Sequence, residues 1–324
     1  MNRREQVRRA IRRQGPDYVP LFIFDGDRRD SDLIQIDLER FYLGPERNLS
    51  EWGFKWDSTD TQVPMGSPVN PPIARWEDFE DYRKTRKPDP RDKARFAEVG
   101  KIMEEYGPDR YYMGSLYLTG FTIMSFIRGY GNLLEDLHLN RAKAEELADL
   151  VFGVENDIIR QMPSHGFHAV SLWDDWGTQS GLVLDPRMWR EIFKPRYVRQ
   201  ARIAHDAGLD VFFHTCGNVY PIIPDLIEIG YDMLNLGQPD INGIEQLGRD
   251  FGGKICFVAP ISYQTTSLSG TVEDIYSEGR RLIESLGRYN GGLIALVIYY
   301  QAMGMSEANY NATVNVFKEY GRYS

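Results

Sequence analysis

The sequence predicts a single (β/α)8 barrel, an α/β fold of one domain spanning residues 1–324. Three observations carry that expectation. Apolar runs alternate with longer amphipathic segments from one end of the chain to the other. The runs are nearly continuous in aliphatic and aromatic residues, as strands buried on both faces are. Six or seven such units follow one another with no sequence repeat, low-complexity tract or linker between them, which suits a closed barrel. An open doubly wound sheet is the alternative arrangement of the same units.

The elements follow in order. A short basic helical segment precedes the first strand, YVPLFIFDG at 18–26. Residues 44–100 are rich in Pro, Asp and Trp, and read as long loops plus a helix covering one end of the barrel. Further strands are RYYMGSLYL (110–118), AVSLWDD (169–175), DVFFHTCG (210–217), DMLNLGQP (232–239), KICFVAPIS (254–262) and GLIALVIYY (292–300). Helical periodicity fills the intervals at 141–162, 186–208, 223–230 and 271–287.

Composition narrows the class of function. A net charge of −9 argues against a general nucleic-acid surface, where clustered Lys and Arg must neutralise phosphates. Two cysteines are too few for a disulfide framework, so a reducing compartment is expected. The N-terminal stretch lacks the apolar core of a signal peptide, and no run reaches the length of a membrane span. A cytoplasmic protein is expected.

Several strands end in polar groups: Asp25, then Asp174 and Asp175, His214 and Cys216, Gln238 and Asp240, Ser262 and Gln264. In a barrel such ends converge on the ligand-binding face. His214 and Cys216 lie two apart in an extended strand, so both side chains point the same way. A thiolate and an imidazole suit zinc. A hydrogen-bonded core histidine beside an inert thiol is the other reading of the same pair. Gly217 lets the backbone turn directly afterwards, and Cys256 reads as a core thiol. Arg28 and Arg29 follow the first strand as a possible fork for a carboxylate, or as a solvated pair. Tyr111, Tyr112, Tyr117 and Trp173 suit either an aromatic pocket or the core. Asp174 and Asp175 suit a base, a ligand or a helix cap. RGYGN at 128–132 lacks the lysine of a phosphate loop, and CxxC, HExxH, GxGxxG and GxSxG motifs are absent.

The segment WDDWGTQSGLVLDPRMWREIFKPRYVRQARIAHDAGLDVFFHTCGN (173–218) resembles the uroporphyrinogen decarboxylase superfamily. The similarity runs on through GYDMLNLGQPDINGIEQLGRDFGGKICFVAPIS and GGLIALVIYYQAMGMSEANYNA, and RREQVRRAIRRQGPDYVPL is similar to the family's opening helix and first strand. That superfamily holds the decarboxylase of haem biosynthesis and zinc-dependent methyltransferases that work with corrinoid proteins or coenzyme M. The resemblance implies a (β/α)8 barrel.

In the methyltransferase branch a His-x-Cys motif supplies two zinc ligands, which His214 and Cys216 match. A later cysteine supplies the third, and Tyr299 stands near its place here. The resemblance leaves a carboxylate, Asp240, Asp174 or Asp175, to complete the shell. The decarboxylase branch opens with an MRQAGRYLPE-like segment, which IFDGDRRDSD does not match. Its aspartate after the next strand finds no clear counterpart in 57–75. The reading is therefore methyl transfer from a small methylated molecule to a corrinoid protein or a thiol, assisted by zinc. In it Asp174, Asp175 and Tyr299 are catalytic candidates. Asp25, Arg28, Arg29, Trp173 and Gln238 are substrate-binding candidates, and His214, Cys216 and Asp240 are metal ligands. A porphyrinogen decarboxylase and a non-catalytic ligand-binding member are the alternatives. Paired subunits are expected from the resemblance, and neither nucleic acid nor membrane is expected as a partner.

Overall fold

A computed structural model describes residues 1–44, 47–57 and 66–323. Its strands are β1 (Leu21–Asp25), β2 (Leu33–Asp37), β3 (Lys55–Asp57), β4 (Ser67–Val69), β5 (Tyr111–Leu116), β6 (Ala169–Trp173), β7 (Asp210–Thr215), β8 (Met233–Leu236), β9 (Cys256–Pro260) and β10 (Leu293–Ile298). The helices are α1 (Arg3–Arg12), α2 (Phe79–Thr85), α3 (Val99–Tyr106), α4 (Gly120–Arg128), α5 (Tyr130–Leu139), α6 (Arg141–Ile159), α7 (Pro186–Ile192), α8 (Lys194–Asp206), α9 (Ile223–Ile229), α10 (Ile244–Phe251), α11 (Val272–Leu282) and α12 (Glu307–Tyr320).

Eight strands form one sheet in the order β1-β10-β9-β8-β7-β6-β5-β2, and every pairing in it is parallel. β1 and β2 stand next to each other at the ends of that order, so the sheet curls into a barrel. Side chains carry much of the seam. The Asp32 carboxylate accepts from the Leu21 N–H at 2.8 Å, and the Asp32 N–H donates to the Leu21 carbonyl at 2.8 Å. Ser31 Oγ accepts from the Ile23 N–H at 2.8 Å and donates to the Leu33 carbonyl at 2.6 Å. The single (β/α)8 barrel is the observed fold, and the open doubly wound alternative is not.

Two apolar layers follow from the pleat. Phe22, Met113, Phe212, Met233, Val258 and Ile294 point into the barrel, where Val7, Ala10 and Ile11 of α1 join them from the N-terminal end. Ile23, Val211, Phe213 and Leu234 point outward and pack with the helices. With α1 closing one end, the C-terminal strand ends are left as the accessible mouth.

Three elements differ from the sequence reading. LIQID at 33–37 is a strand that the charged flanks of DSDLIQIDLER hid. Residues 186–208 form two helices broken at Phe193, because Pro195 has no N–H to give and its ring meets the preceding turn. The described part of 44–100 contains the antiparallel pair β3–β4 as well as α2. It packs beside α4 and α5, where Arg128 donates to the Ile73 and Ala74 carbonyls and Trp76 to Asp136. Part of 57–75 lies outside the described residues, and with it any counterpart of the decarboxylase aspartate there.

Candidate metal centre at the barrel mouth

Strand register builds the centre. Trp173 stands opposite His214, His214 opposite Asn235, and Asn235 opposite Val258 across four adjacent strands. Phe212 faces the interior, so His214, two residues on, does too. The His214 ring lies under Trp173 with centroids 4.0 Å apart, and the indole is anchored by a 2.6 Å bond to Ser171.

Asn235 sets the chemistry of the imidazole. Its Nδ2 donates to the Val258 carbonyl, which leaves Oδ1 facing His214 Nδ1. Nδ1 must therefore carry the proton, and Nε2 presents a lone pair to the mouth.

Two other donor atoms meet it there. Cys216 Sγ lies 3.4 Å from His214 Nε2, and Asp175 Oδ1 lies 3.6 Å from the same nitrogen. All three candidate ligand atoms fall within 4.8 Å of one another. Around a tetrahedral zinc, bond lengths of about 2.0–2.3 Å put neighbouring ligand atoms about 3.4–3.6 Å apart. The donor set, one thiol, one imidazole and one carboxylate, also fits zinc. The cluster is capable of coordinating a metal ion.

Glycines make the close approach possible. A Cβ on Gly237 would sit 2.7 Å from Cys216 Sγ and 3.1 Å from His214 Cε1. Gly217, at φ +75°, abuts Gly177, and the Gly177 N–H donates to the Cys216 carbonyl at 3.1 Å. This contact ties the loop after β6 to the loop after β7. It brings Asp175 beside Cys216, whose N–H donates to Asp175 Oδ1 at 2.9 Å.

Burial sets the protonation of the cluster. It lowers the His214 pKa, against the opposing pull of Asp175 and Asn235. It pushes the Cys216 thiol well above its ordinary value, and the Asp175 charge adds to the effect. With no cation present the pair is neutral, and a bound cation favours the thiolate.

The remaining candidates take varied places. Asp174 is fully buried behind the mouth. It accepts from the Phe121 and Thr122 N–H groups, from Thr122 Oγ1 and from the Tyr197 hydroxyl, which makes it the cap of α4. Asp240 is not part of the three-residue cluster; its Oδ1 is buried without a hydrogen-bond partner. Gln238 is occupied at both ends, accepting from the Gly217 N–H at 3.0 Å and donating to Gln264 at 2.7 Å. Arg28 donates to the Gln35 carbonyl and covers the Tyr106 ring, while Arg29 pairs with Asp27 in solvent. Asp25 is exposed at the end of β1.

Tyr299 stacks on Tyr310 of α12, with centroids 4.5 Å apart. The next residue, Tyr300, has its phenol raised chiefly by burial, and a Cys216 thiolate would raise it further. Tyr117 and Tyr263 share that coupling. Of the other aromatic candidates, Tyr111 bonds Asp210 and Tyr112 bonds the α3 end. Cys256 is a buried core thiol. Asn235, Gly237, Tyr263 and Tyr300 were not singled out by sequence reasoning. Only the spacing of Asn235 and Gly237 from each other, two apart at a strand end, hinted at a shared face.

Fold and site together define a parallel barrel protein with a metal-capable Asp–His–Cys cluster at its C-terminal mouth. The chain belongs to the uroporphyrinogen decarboxylase (URO-D) family, whose model matches residues 58–320. It superposes on a methyltransferase from Methanosarcina mazei over 99% of both chains, at a TM-score of 0.72 and 16% identity. A chitinase from Chromobacterium violaceum aligns at a TM-score of 0.42 and 10% identity, over 92% of this chain and 98% of that one. A D-psicose 3-epimerase aligns at 0.41 and 10%, over 69% of this chain and 82% of that one. No curated protein matches the chain by sequence. No helix among the described residues is long and apolar enough to cross a membrane.

Proposed function

We propose that the protein is a zinc-assisted methyltransferase, moving a methyl group from a small methylated molecule to a thiol or to a corrinoid on a partner protein. The observation that carries this reading is the spacing of Asp175, His214 and Cys216 at the accessible end of the barrel. The likeness of the whole chain to a methyltransferase barrel supports it. The two arginines after β1 are both engaged elsewhere, which weighs against a cup for the carboxylates of a porphyrinogen.

Zinc, when bound, supplies Lewis acidity that lowers the pKa of a coordinated thiol or polarises a donor heteroatom. The chain does the rest. Asn235 holds His214 in the tautomer that offers Nε2. Asp175 and Cys216 complete the donor set, with Asp175 also bonding the Cys216 N–H. Trp173 forms the floor, and Tyr117, Tyr263 and Tyr300 flank the cluster. An apolar wall of this kind strips water from a nucleophile and favours in-line attack on a methyl carbon. The open mouth gives a partner protein access to the same carbon.

Metal analysis tests the reading. Protein purified without chelator is expected to hold close to one zinc per chain. His214→Ala, Cys216→Ser and Asp175→Ala should each reduce it sharply. Methyl-transfer activity should fall in parallel. A parent protein that takes up no zinc on supplementation removes the metal mechanism.

A further inference from the structure

Aromatic rings line the mouth beside the cluster. Phe24, Tyr117 and Trp173 form one wall, with centroid separations of 6.0 Å, 5.4 Å and 4.9 Å, and that wall ends on the His214 ring. Tyr263 and Tyr300 form a second wall, 5.2 Å apart. A hydrogen-bond chain ties the second wall to the cluster: Gln264 donates to the Tyr263 hydroxyl at 3.4 Å and accepts from Gln238 at 2.7 Å, and Gln238 accepts from the Gly217 N–H, next to Cys216. Apart from Trp173 these rings are only partly buried, so they keep accessible surface.

Carboxylates predominate around the rings. Asp25, Asp175 and Asp240 stand at or just beyond strand ends and have no lysine or arginine ion pair among the described residues. Acids at the opposite end are treated differently: Asp32 pairs with Arg3, and Asp210 and Asp232 pair with Arg12. Arg28, near the mouth, is held by the Gln35 carbonyl and the Tyr106 ring. Asp240 Oδ1 is a buried acceptor with no donor. Aromatic faces together with unneutralised carboxylates attract a poorly hydrated cation, the combination that recognises quaternary ammonium groups.

We infer that the methyl donor is a quaternary ammonium cation, held between the Phe24–Tyr117–Trp173 wall and the Tyr263–Tyr300 wall. The inference rests on the methyl-transfer reading above and names its substrate class. In the transfer the methyl C–N bond breaks and its electron pair stays on nitrogen. A neutral tertiary amine leaves and needs no proton. The new bond to the methyl carbon takes its pair from the acceptor, a thiolate or a reduced corrinoid on a partner protein. If the acceptor enters as a thiol, its proton passes to solvent. The amine product no longer carries a fixed positive charge, so the aromatic box releases what it formerly held.

Choline and 3,3-dimethylbutan-1-ol have the same shape and differ in charge. Their binding is measured by Trp fluorescence and calorimetry on zinc-free and zinc-loaded protein. Choline is expected to bind at least about tenfold more tightly than the neutral alcohol. Tyr300→Phe should keep that preference, and Tyr300→Leu should lose most of it while circular dichroism stays unchanged. Equal binding of the two probes overturns the inference, as does no binding of choline to protein that has taken up zinc. A preference for choline in protein that never takes up zinc upholds the cation site and instead refutes the metal reading.

Discussion

At the scale of single residues, the centre depends on two side-chain choices with no ligand role. Asn235 is completely buried, and its two polar atoms are committed to different partners, Val258 and His214. That fixes which way the amide points and hence which imidazole nitrogen is free. Asn235→Leu keeps the branched four-atom side chain and removes the polar atoms that orient the imidazole. It should weaken zinc binding about 10- to 100-fold in chelator competition, in line with other partners of metal-bound histidines. Unchanged affinity would mean that strand register alone orients the ring. Gly237 acts by absence. An added methyl would lie 2.7 Å from Cys216 Sγ, so Gly237→Ala must displace the thiol. The expected result is lost zinc in a folded protein, read by metal content alongside circular dichroism.

At the scale of elements, α4 is placed by buried carboxyls. Asp174 caps its first turn, and Glu155 of α6 accepts from the Gly120 N–H at 2.7 Å and from Gln200 at 2.7 Å. Burial raises the Asp174 carboxyl to about 7 and that of Glu155 to about 8. Both therefore bind protons more tightly folded than unfolded. The stability they contribute is fully present below their unfolded values near 4 and is lost as pH rises through about 7 and about 8. Melting temperature is expected to fall from pH 5 to pH 9. Glu155→Gln should flatten that slope, because a flipped Gln200 amide can offer its otherwise unpartnered Oε1 to the new NH2. An unchanged slope would locate the titration elsewhere.

The same elements explain what the sequence could and could not disclose. Seven strands are legible because burial on both faces makes them continuous apolar runs, and the two-residue period alone puts His214 and Cys216 on one face. β2 was hidden because its core is only LIQID between acids, one of which, Asp32, holds the seam to β1. The partner Asp175 was one of three open carboxylates. Choosing it requires knowing that Gly177 and Gly217 touch, a long-range contact without a local pattern. The position near Tyr299 follows from the resemblance by spacing alone. A shift of one residue exchanges faces, so Tyr299 turns to α12 and Tyr300 to the mouth.

At the scale of the whole molecule, the mouth keeps its shape only while the barrel stays closed, and the seam between β1 and β2 is where closure leans on side chains. Asp32 is 2% exposed and holds the Leu21 N–H, the Tyr18 hydroxyl at 3.0 Å and Arg3 at 3.5 Å. Ser31 is 0% exposed and bridges Ile23 to Leu33. A side-chain change here spares the backbone bond from the Asp32 N–H to the Leu21 carbonyl but removes the side-chain bonds beside it. Asp32→Ala strands the buried Leu21 N–H and leaves the half-buried Tyr18 hydroxyl to water, and should cost about 1–3 kcal/mol in urea unfolding, the penalty of one unsatisfied buried group. Ser31→Ala strands the Ile23 N–H and should cost about 1–2 kcal/mol. The two residues are neighbours on one seam, so the double variant should depart from additivity. Both lie toward the end of the barrel closed by α1, far along the strands from Cys216. Zinc content per folded chain should therefore stay at the parental level in Ser31→Ala. A variant that lost its zinc while keeping its unfolding midpoint would show that the seam transmits strain to the mouth, rather than only holding the barrel shut.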